Sequence, residues 1–419
     1  MTQPLRVAVC GGGIGGLFLT LVLKKYAGSK SLLVDVYEAE SSYAEIGAGI
    51  TVWGRTRSVM ETLELGEALA KWPDVPSITF RKSDTQESFE FHNHFIPNGK
   101  ALPRTEMLKL LVNNLPPEDP SFLTKHFNKR LTSYEQDADG VTLHFADGSV
   151  AQADILVGAD GVGSATRKKM YSDLAGRVRS TDAKRAEELT NFIPPSWTGT
   201  GVTSWTGKDK HVITYPISAT LINVLFFETI PGGLGTPLTG PTVSTASREE
   251  VINLYKDWEP ELRIITEVVG ETSKWAISQI QGLPSYVDGR VALLGDSAHA
   301  MTTHFGAGAG QAIEDAYILG RLLAQPATNL SNVKDALRIY DAIRRPIASE
   351  IVERSLKMGF LYELSTDGLP PGTDAAKVHA GDRDELQKVI KVMTDLWTWH
   401  SASMPEEDWL RAQEKLRTA

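Results

Sequence analysis

The chain of 419 residues predicts an α/β fold made of a split domain, a sheet-rich insertion and a C-terminal helical segment. Three observations predict it. An apolar run, a turn with glycine at five of six positions (Gly11–Gly16) and a helical stretch open the chain as a βαβ unit. Two more glycine-rich turns follow short buried-strand patterns: Gly158-Ala159-Asp160-Gly161-Val162-Gly163, and Gly295-Asp296 leading to Gly306–Gly310. Between those two turns the sequence grows rich in aromatic and β-branched residues, as a separate sheet would. The glycine turns belong to a Rossmann-like domain and the segment between them is its insertion.

Taken in order, Leu5–Cys10 is a buried strand and Ile14–Tyr26 a helix, with apolar positions at Ile14, Leu17, Leu21 and Val22. Leu32–Tyr37 is the second strand, ending at Glu38. Helices are expected over Arg57–Lys71 and Thr105–Asn114, the latter entered through Pro103-Arg104. Val141–Phe145 and Ser149–Ile155 flank Asp147-Gly148, a hairpin signal. Trp197–Thr206, Lys210–Ile217 and Leu221–Glu228 are strand-like, and Ile230–Thr242, with three prolines among four glycines, is expected to be a loop. Ser247-Arg248-Glu249-Glu250 has capping-box spacing for a helix through about Tyr255. Helices follow over Gln311–Ala324, Asn332–Arg345 and Ile347–Tyr362. Ser365–Asp382 then reads as a linker before a final helix, whose Trp397, Trp399 and Trp409 would dock the tail.

Composition narrows the function. A net charge of −9 argues against nucleic acid or an anionic membrane as the main partner. The single cysteine, Cys10, excludes an internal disulfide and a cysteine-based metal cluster, and no metal site is expected. Closing an apolar strand, Cys10 reads as buried and inert. The stretch Leu5–Leu23 is broken by glycines and lacks a basic leader, so it reads as strand–turn–helix rather than signal peptide or membrane span. A cytoplasmic location is the resulting expectation.

In Gly11-x-Gly13-x-x-Gly16 the glycines serve different ends. Gly11 permits the tight turn, Gly13 lets backbone approach a pyrophosphate, and Gly16 allows close packing. The helix start offers free N–H groups and positive dipole to phosphates. Glu38, at the tip of the second strand, is placed to accept hydrogen bonds from an adenosine ribose. This first motif does not separate NAD from FAD. The third does: Asp296 at a strand end can accept from a polyol hydroxyl. A helix starting after Gly306–Gly310 aims its dipole beside Asp296. A nicotinamide cofactor needs no second cradle, whereas FAD, anionic at its ring when reduced, does.

These motifs resemble those of the group A FAD-dependent aromatic monooxygenases, the p-hydroxybenzoate hydroxylase superfamily, in its salicylate hydroxylase-like branch. The resemblance covers most of residues 5–360. It rests on Gly11–Gly16, on Gly158-Ala159-Asp160-Gly161 with Arg167, on Gly295-Asp296-Ser297-Ala298-His299-Ala300, and on Gly306–Gln311 with Glu314-Asp315-Ala316. It implies a GR2-type FAD-binding domain whose N-terminal segment spans 1–175, with an excursion into the substrate domain near 72–100. It also implies a substrate domain over 176–284, a second FAD-binding segment over 285–363, and a linker and C-terminal helix over 364–419. By the same resemblance Glu38 binds the adenosine ribose and Gly49, in Gly47-Ala48-Gly49-Ile50, touches the flavin by backbone. Arg104 contacts FAD phosphate or ribityl oxygens. Asp160 belongs to a dual FAD/NAD(P)H motif, Asp296 meets the ribityl chain or pyrophosphate, and Ala309 presents backbone near the isoalloxazine. Two departures stand out. Thr303 occupies a position that is often proline before the histidine, and the segment between Thr200 and Trp205 is short. No arginine occurs between Arg185 and Arg248 to hold a substrate carboxylate, which leaves Arg55 and Arg57 as candidates to reach the cleft.

The resemblance implies that NADPH or NADH reduces FAD, that dioxygen forms a flavin C4a-hydroperoxide, and that an activated phenol attacks it. Deprotonating the phenol needs a base or proton relay. His211, Ile213 and Tyr215 share one strand face by period-two alternation. With Trp205 and Phe227 they either line an aromatic pocket or form the second domain's core. His211, Tyr215 and His304 are thus the candidate proton-handling residues, while His299 reads as structural. The expected activity is hydroxylation of a small phenolic or hydroxybenzoic acid, with decarboxylation where a carboxylate sits on the attacked carbon. The alternatives are a polyketide-type phenol as substrate, a flavin oxidase or reductase, or a flavin-binding protein without oxygen insertion. A small aromatic substrate, dioxygen and NAD(P)H are the expected partners of a monomer or homodimer.

Overall fold

A computed structural model describes residues 3–43, 49–172, 180–190, 201–218, 221–234 and 243–418. The N-terminal strand lies inside a six-stranded sheet of order Val287–Asp288, Val291–Leu293, Ile155–Gly158, Leu5–Cys10, Leu32–Tyr37, Leu123–His126. All neighbours run parallel except the two-residue edge strand Val287–Asp288. Register decides where the chemistry goes: Cys10 pairs with Gly158, and Gly158 with Leu293. The three glycine turns therefore leave the same sheet edge side by side, at the carboxyl ends of the strands, where open α/β sheets bind ligands.

Both sheet faces are covered, as parallel sheets require. Val7, Val9, Ile155 and Val157 face helices Ile14–Tyr26 and Gly308–Ala324, within a core that includes Leu17, Phe18 and Ile313. Ala8, Cys10 and Leu156 face a three-stranded antiparallel sheet of Leu131–Gln136, Val141–Phe145 and Val150–Ala153. Cys10 is buried there, and burial together with the neighbouring Asp160 charge pushes its thiol well up, toward the unreactive protonated form.

A second sheet has nine strands, in the order Val243–Ala246, Thr272–Ser278, Ser180–Thr190, Ile222–Leu234, Lys210–Pro216, Val202–Gly207, Asp74–Lys82, Phe89–Pro103, Gly49–Val52. Its alternation separates two cores. Ile213, Tyr215, Leu225 and Phe227 face one side, together with Phe305 and the tail residues Trp397 and Trp399. Trp205, Val212, Val224 and Phe226 face the other, under helices Arg248–Tyr255 and Pro260–Val268.

Several sequence expectations need correction. The helix expected over Arg57–Lys71 starts at Gly54 and breaks into Gly54–Thr62 and Gly66–Leu69, with Glu64 at φ 63° between them. The strand expected over Ser149–Ile155 parts at Asp154, whose carboxylate accepts from the Arg6 amide (2.7 Å) and guanidinium (2.8 Å). Val150–Ala153 stays in the hairpin, while Ile155–Gly158 joins the parallel sheet. The helices expected on either side of Pro346 are one, Val333–Tyr362. Pro346 and Ala342, one turn earlier, both lie on the exposed face, so water can satisfy the carbonyl that proline leaves unpaired. The strand Ile222–Leu234 runs on through Pro231-Gly232-Gly233, and Leu234 pairs with Thr181. The rest of the expected loop, 235–242, lies outside the described residues, as do 197–200 of the expected strand. The expected linker contains a helix, Ala375–His379, capped by the Asp374 side chain. The tail forms three helices, Arg383–Leu396, Trp399–Ala402 and Pro405–Thr418, and buries all three tryptophans.

Candidate active site

The edge of the parallel sheet and the inner face of the large sheet enclose one cavity of about 340 Å³. One half is built by the glycine turns. Gly11 sits at φ 120°, where a side chain is strained, and a Cβ there would collide with the Ala159 carbonyl of the second turn. At Gly16 a Cβ would strike the Gly11 carbonyl, whereas Gly13 has nothing within 4 Å of where its Cβ would stand. The first motif thus packs tightly at two glycines and leaves the third bare toward open space. Helices Ile14–Tyr26 and Gly308–Ala324 both begin at this cavity, and neither has a side-chain cap on its free N–H groups.

Glu38 accepts from the Gly12 amide at 2.7 Å and the Glu40 amide at 2.9 Å. Arg104 lines the cavity at the start of helix Arg104–Asn114, between the charges of Asp296 and Glu38. Burial lowers its pKa and those two carboxylates oppose the shift. Asp296 is exposed to the cavity, 3.9 Å from where a Cβ of Gly308 would stand. Ala309 and the described Gly49 also line it, while Gly47 and Ala48 lie outside the described residues. Asp160 is turned away into its own loop, where it accepts from Ser164 Oγ (2.5 Å) and from the amide and hydroxyl of Thr166 (3.0 Å each). Two uncapped helix starts, bare backbone at Gly13 and an exposed carboxylate fit a long dinucleotide with phosphates at one end and a polyol further along.

Behind this half lies a buried ionic lattice. Asp315 accepts from the Gly295 amide (3.0 Å), His299 Nε2 (2.5 Å) and Arg344 Nε (2.8 Å). Glu314 is held by Arg55 through two bonds, at 2.8 and 2.9 Å. His299 is therefore structural, as its place in the motif suggests. Arg55 is consumed by Glu314 and the Trp399 carbonyl, and Arg57 pairs with Glu61 at 3.0 Å on the surface. Neither lines the cavity, which corrects the expectation for both.

The other half is apolar. Ile213, Leu225, Phe227 and Ile78 line it, with Tyr215, His211, His304 and Thr303 as polar points. His211, Ile213 and Tyr215 do share a face and reach one cavity. Trp205 does not join them: it pairs with Val212 across the strands and sits on the outer face, its indole bonded to Thr214 at 2.9 Å. Among the described residues, Arg104 is the one lysine or arginine on the cavity wall. The halves meet at Gly49, where a Cβ would stand 2.5 Å from the Tyr215 hydroxyl and 2.9 Å from the Asn223 amide. Asn223 is buried opposite Tyr215.

His211 stacks on Phe227, with centroids 4.1 Å apart and planes 6° apart, and lies 5.3 Å from the His304 ring. Its Nδ1 is 3.0 Å from Glu363 Oε1, and its Nε2 has no partner. Burial drives His211 down to about 3 and Glu363 up to about 7. Sequence reasoning misses Glu363. It lies 152 residues from His211 at the end of a helix, and only the fold brings the two together. Ile78 is missed for the same reason, although Asp74–Lys82 alternates as a half-buried strand should.

Comparison with known proteins gives a consistent picture. Residues 4–355 match the family described as FAD binding domain. A salicylate hydroxylase of Pseudomonas putida is 32% identical over 86% of this chain and 86% of its own. A 6-hydroxynicotinate 3-monooxygenase of Bordetella bronchiseptica is 29% identical, with 83% and 89% covered. A solved salicylate hydroxylase substrate complex superposes with a TM-score of 0.79 over 98% of both chains, at 27% identity.

Proposed function

The chain belongs to the FAD-dependent aromatic monooxygenases, and from that premise we propose that it uses NAD(P)H and dioxygen to hydroxylate a small phenol or hydroxybenzoic acid. The observation that carries the reading is the cavity in which a dinucleotide cradle opens onto an apolar wall bearing Tyr215, His211 and His304. Bound in the cradle, FAD would supply hydride acceptance from the nicotinamide and activation of dioxygen. Arg104, Asp296 and the backbone at Gly13, Gly49 and Ala309 would hold it, with Glu38 bracing the ribose end through Gly12. The start of helix Gly308–Ala324 would favour negative charge on its ring. Asp160 would act one step back, by shaping the second turn.

At the apolar end, Ile213, Leu225 and Phe227 would orient a ring and keep water from the reacting carbon. Tyr215 and His211 would receive its hydroxyl group. Removing the phenolic proton directs electron density to the ortho and para carbons, so these residues set both rate and position of attack. If a carboxylate stands on the attacked carbon, hydroxylation expels carbon dioxide, the salicylate-to-catechol outcome.

The uncharged wall favours a second reading at this site, a polyketide-type phenol without a carboxylate, since a buried carboxylate needs a paired cation or several donors. NADPH and NADH oxidation by FAD-loaded protein, with salicylate and with uncharged phenols, followed by product mass, tests both. Stimulation by salicylate with catechol formed supports the decarboxylating hydroxylase. Stimulation only by uncharged phenols supports the second reading. Hydrogen peroxide without an oxygenated product overturns both in favour of an oxidase.

A further inference from the structure

Glu363 is buried at the C-terminal end of helix Val333–Tyr362, bonded to His211 and not itself part of the cavity lining. Nothing in the family motifs calls for a carboxylate there. We propose that Glu363 is a positioning residue that accepts the Nδ1–H of His211, which leaves the Nε2 lone pair free to take the proton of a substrate hydroxyl that meets the ring. The proposal rests on the hydroxylase reading above and names the group that activates the substrate.

Geometry carries it. Both side chains are almost wholly buried, at 0% and 2% exposure, so the 3.0 Å contact has no solvent competitor. A buried polar atom without a partner is costly, so an unpaired ring nitrogen beside a cavity is placed to bond a ligand. His211 pairs its Nδ1 and leaves its Nε2 without a partner, on a residue that lines the cavity. Phe227 stacked beneath the ring fixes its plane. The proton balance is simple. The hydroxyl O–H bond breaks and Nε2–H forms, giving a phenolate and an imidazolium. The imidazolium lies between that phenolate and the Glu363 carboxylate, and no electrons are exchanged.

The protonation of Glu363 then selects the tautomer. As a carboxylate it accepts from Nδ1–H and leaves Nε2 basic. As a carboxylic acid it donates to Nδ1, and the ring proton moves to Nε2, which becomes a donor. Burial and the Asp209 charge raise its pKa to about 7, opposed by a hydrogen bond with Thr229 and the nearby His304. Tyr362 and Tyr255 complete the titratable surroundings. Tyr362 lies edge-on to His211, and Tyr255 is bonded to the Phe227 carbonyl at 2.9 Å, with burial keeping both phenols protonated.

The test is the tautomer of His211 in substrate-free, FAD-loaded protein labelled with 15N-histidine, its resonance assigned by His211→Asn. The expected result is the Nδ1–H form at pH 8, converting toward Nε2–H as pH falls through about 7, with Glu363→Gln abolishing the conversion. With the best aromatic substrate, Glu363→Gln should lower kcat about 10- to 100-fold at pH 8 and erase the rise of kcat through neutral pH, with KM little changed. Thr229→Val, which keeps the carboxylate, should move both transitions to higher pH. An unchanged His211 tautomer in Glu363→Gln, or an unshifted transition in Thr229→Val, overturns the proposal. Failure of the hydroxylase reading is a separate result, in which no phenol or hydroxybenzoate stimulates the wild type, whatever the His211 spectrum shows.

Discussion

One methyl group is enough to probe the junction of the two half-sites. In Gly49→Ala the new Cβ meets the Tyr215 hydroxyl and the Asn223 amide, and neither belongs to a flexible chain end that can swing away. Such overpacking costs about 1–3 kcal/mol. The expected outcome is a modest loss of thermal stability with at least a tenfold loss of substrate-stimulated NAD(P)H oxidation. Asp296→Ala removes the exposed carboxylate of the third turn. Loss of one charged hydrogen bond, about 1.5–3 kcal/mol, should weaken FAD binding roughly 10- to 100-fold in a fluorescence titration. The His211–Glu363 pair also sets a pH dependence of stability. Glu363 holds its proton to about 7 when folded, against 4.5 when free, so the folded state binds more protons and loses stability as pH rises through that interval. His211 works in the opposite direction: its pKa of about 3 against 6.5 makes the unfolded chain take up the proton first, and stability falls as pH drops below 6.5. Urea midpoints of Glu363→Gln between pH 5 and 8 should lose the first slope and keep the second.

At the scale of elements, the loop after strand Val291–Leu293 is held from behind by helices Gly308–Ala324 and Val333–Tyr362. Arg344 bonds Asp315 and the Gln311 side chain, and Asp315 in turn grips the Gly295 amide and His299. Arg344→Ala takes a buried cation away from Asp315 and Glu314 and leaves them only their remaining partners, and breaking such a buried pair costs about 3–5 kcal/mol. Circular dichroism should record that loss as a fall of several degrees in Tm, with FAD occupancy falling alongside it because the third turn is no longer pinned. Local patterns revealed much at this scale. The strand Leu5–Cys10 and helix Ile14–Tyr26 carry their period and punctuation within a few residues, and Ser247 caps Glu250 as its spacing implies. Pro346 misled because the sequence does not say which helix face meets water. Asp154 misled because its reason for ending a strand is Arg6, at the other end of the fold's first half.

For the whole molecule, the two cradle motifs were readable but the apolar wall was not. It is assembled from distant segments. Asp74–Lys82 pairs with Val202–Gly207, and Gly49–Val52 joins the sheet edge, pairings that no local pattern announces. Glu363, behind that wall, comes from the end of helix Val333–Tyr362, 152 residues from His211. The tail reaches the wall too: Trp397 stacks edge-on against Phe305 at 4.7 Å and Trp53 at 5.6 Å, both of which line the cavity. Trp397→Ala should therefore cost about 3–5 kcal/mol in unfolding free energy and also raise KM for the aromatic substrate, a remote effect that a detached tail would not produce. Cys10 gives the same architecture a practical side. Its thiol, the chain's only one, is sealed between two sheets and held protonated. A cysteine introduced at any exposed position would thus be the sole handle for a maleimide dye or spin label. Distances across the cavity could then be measured with and without flavin on a protein carrying its native first turn intact.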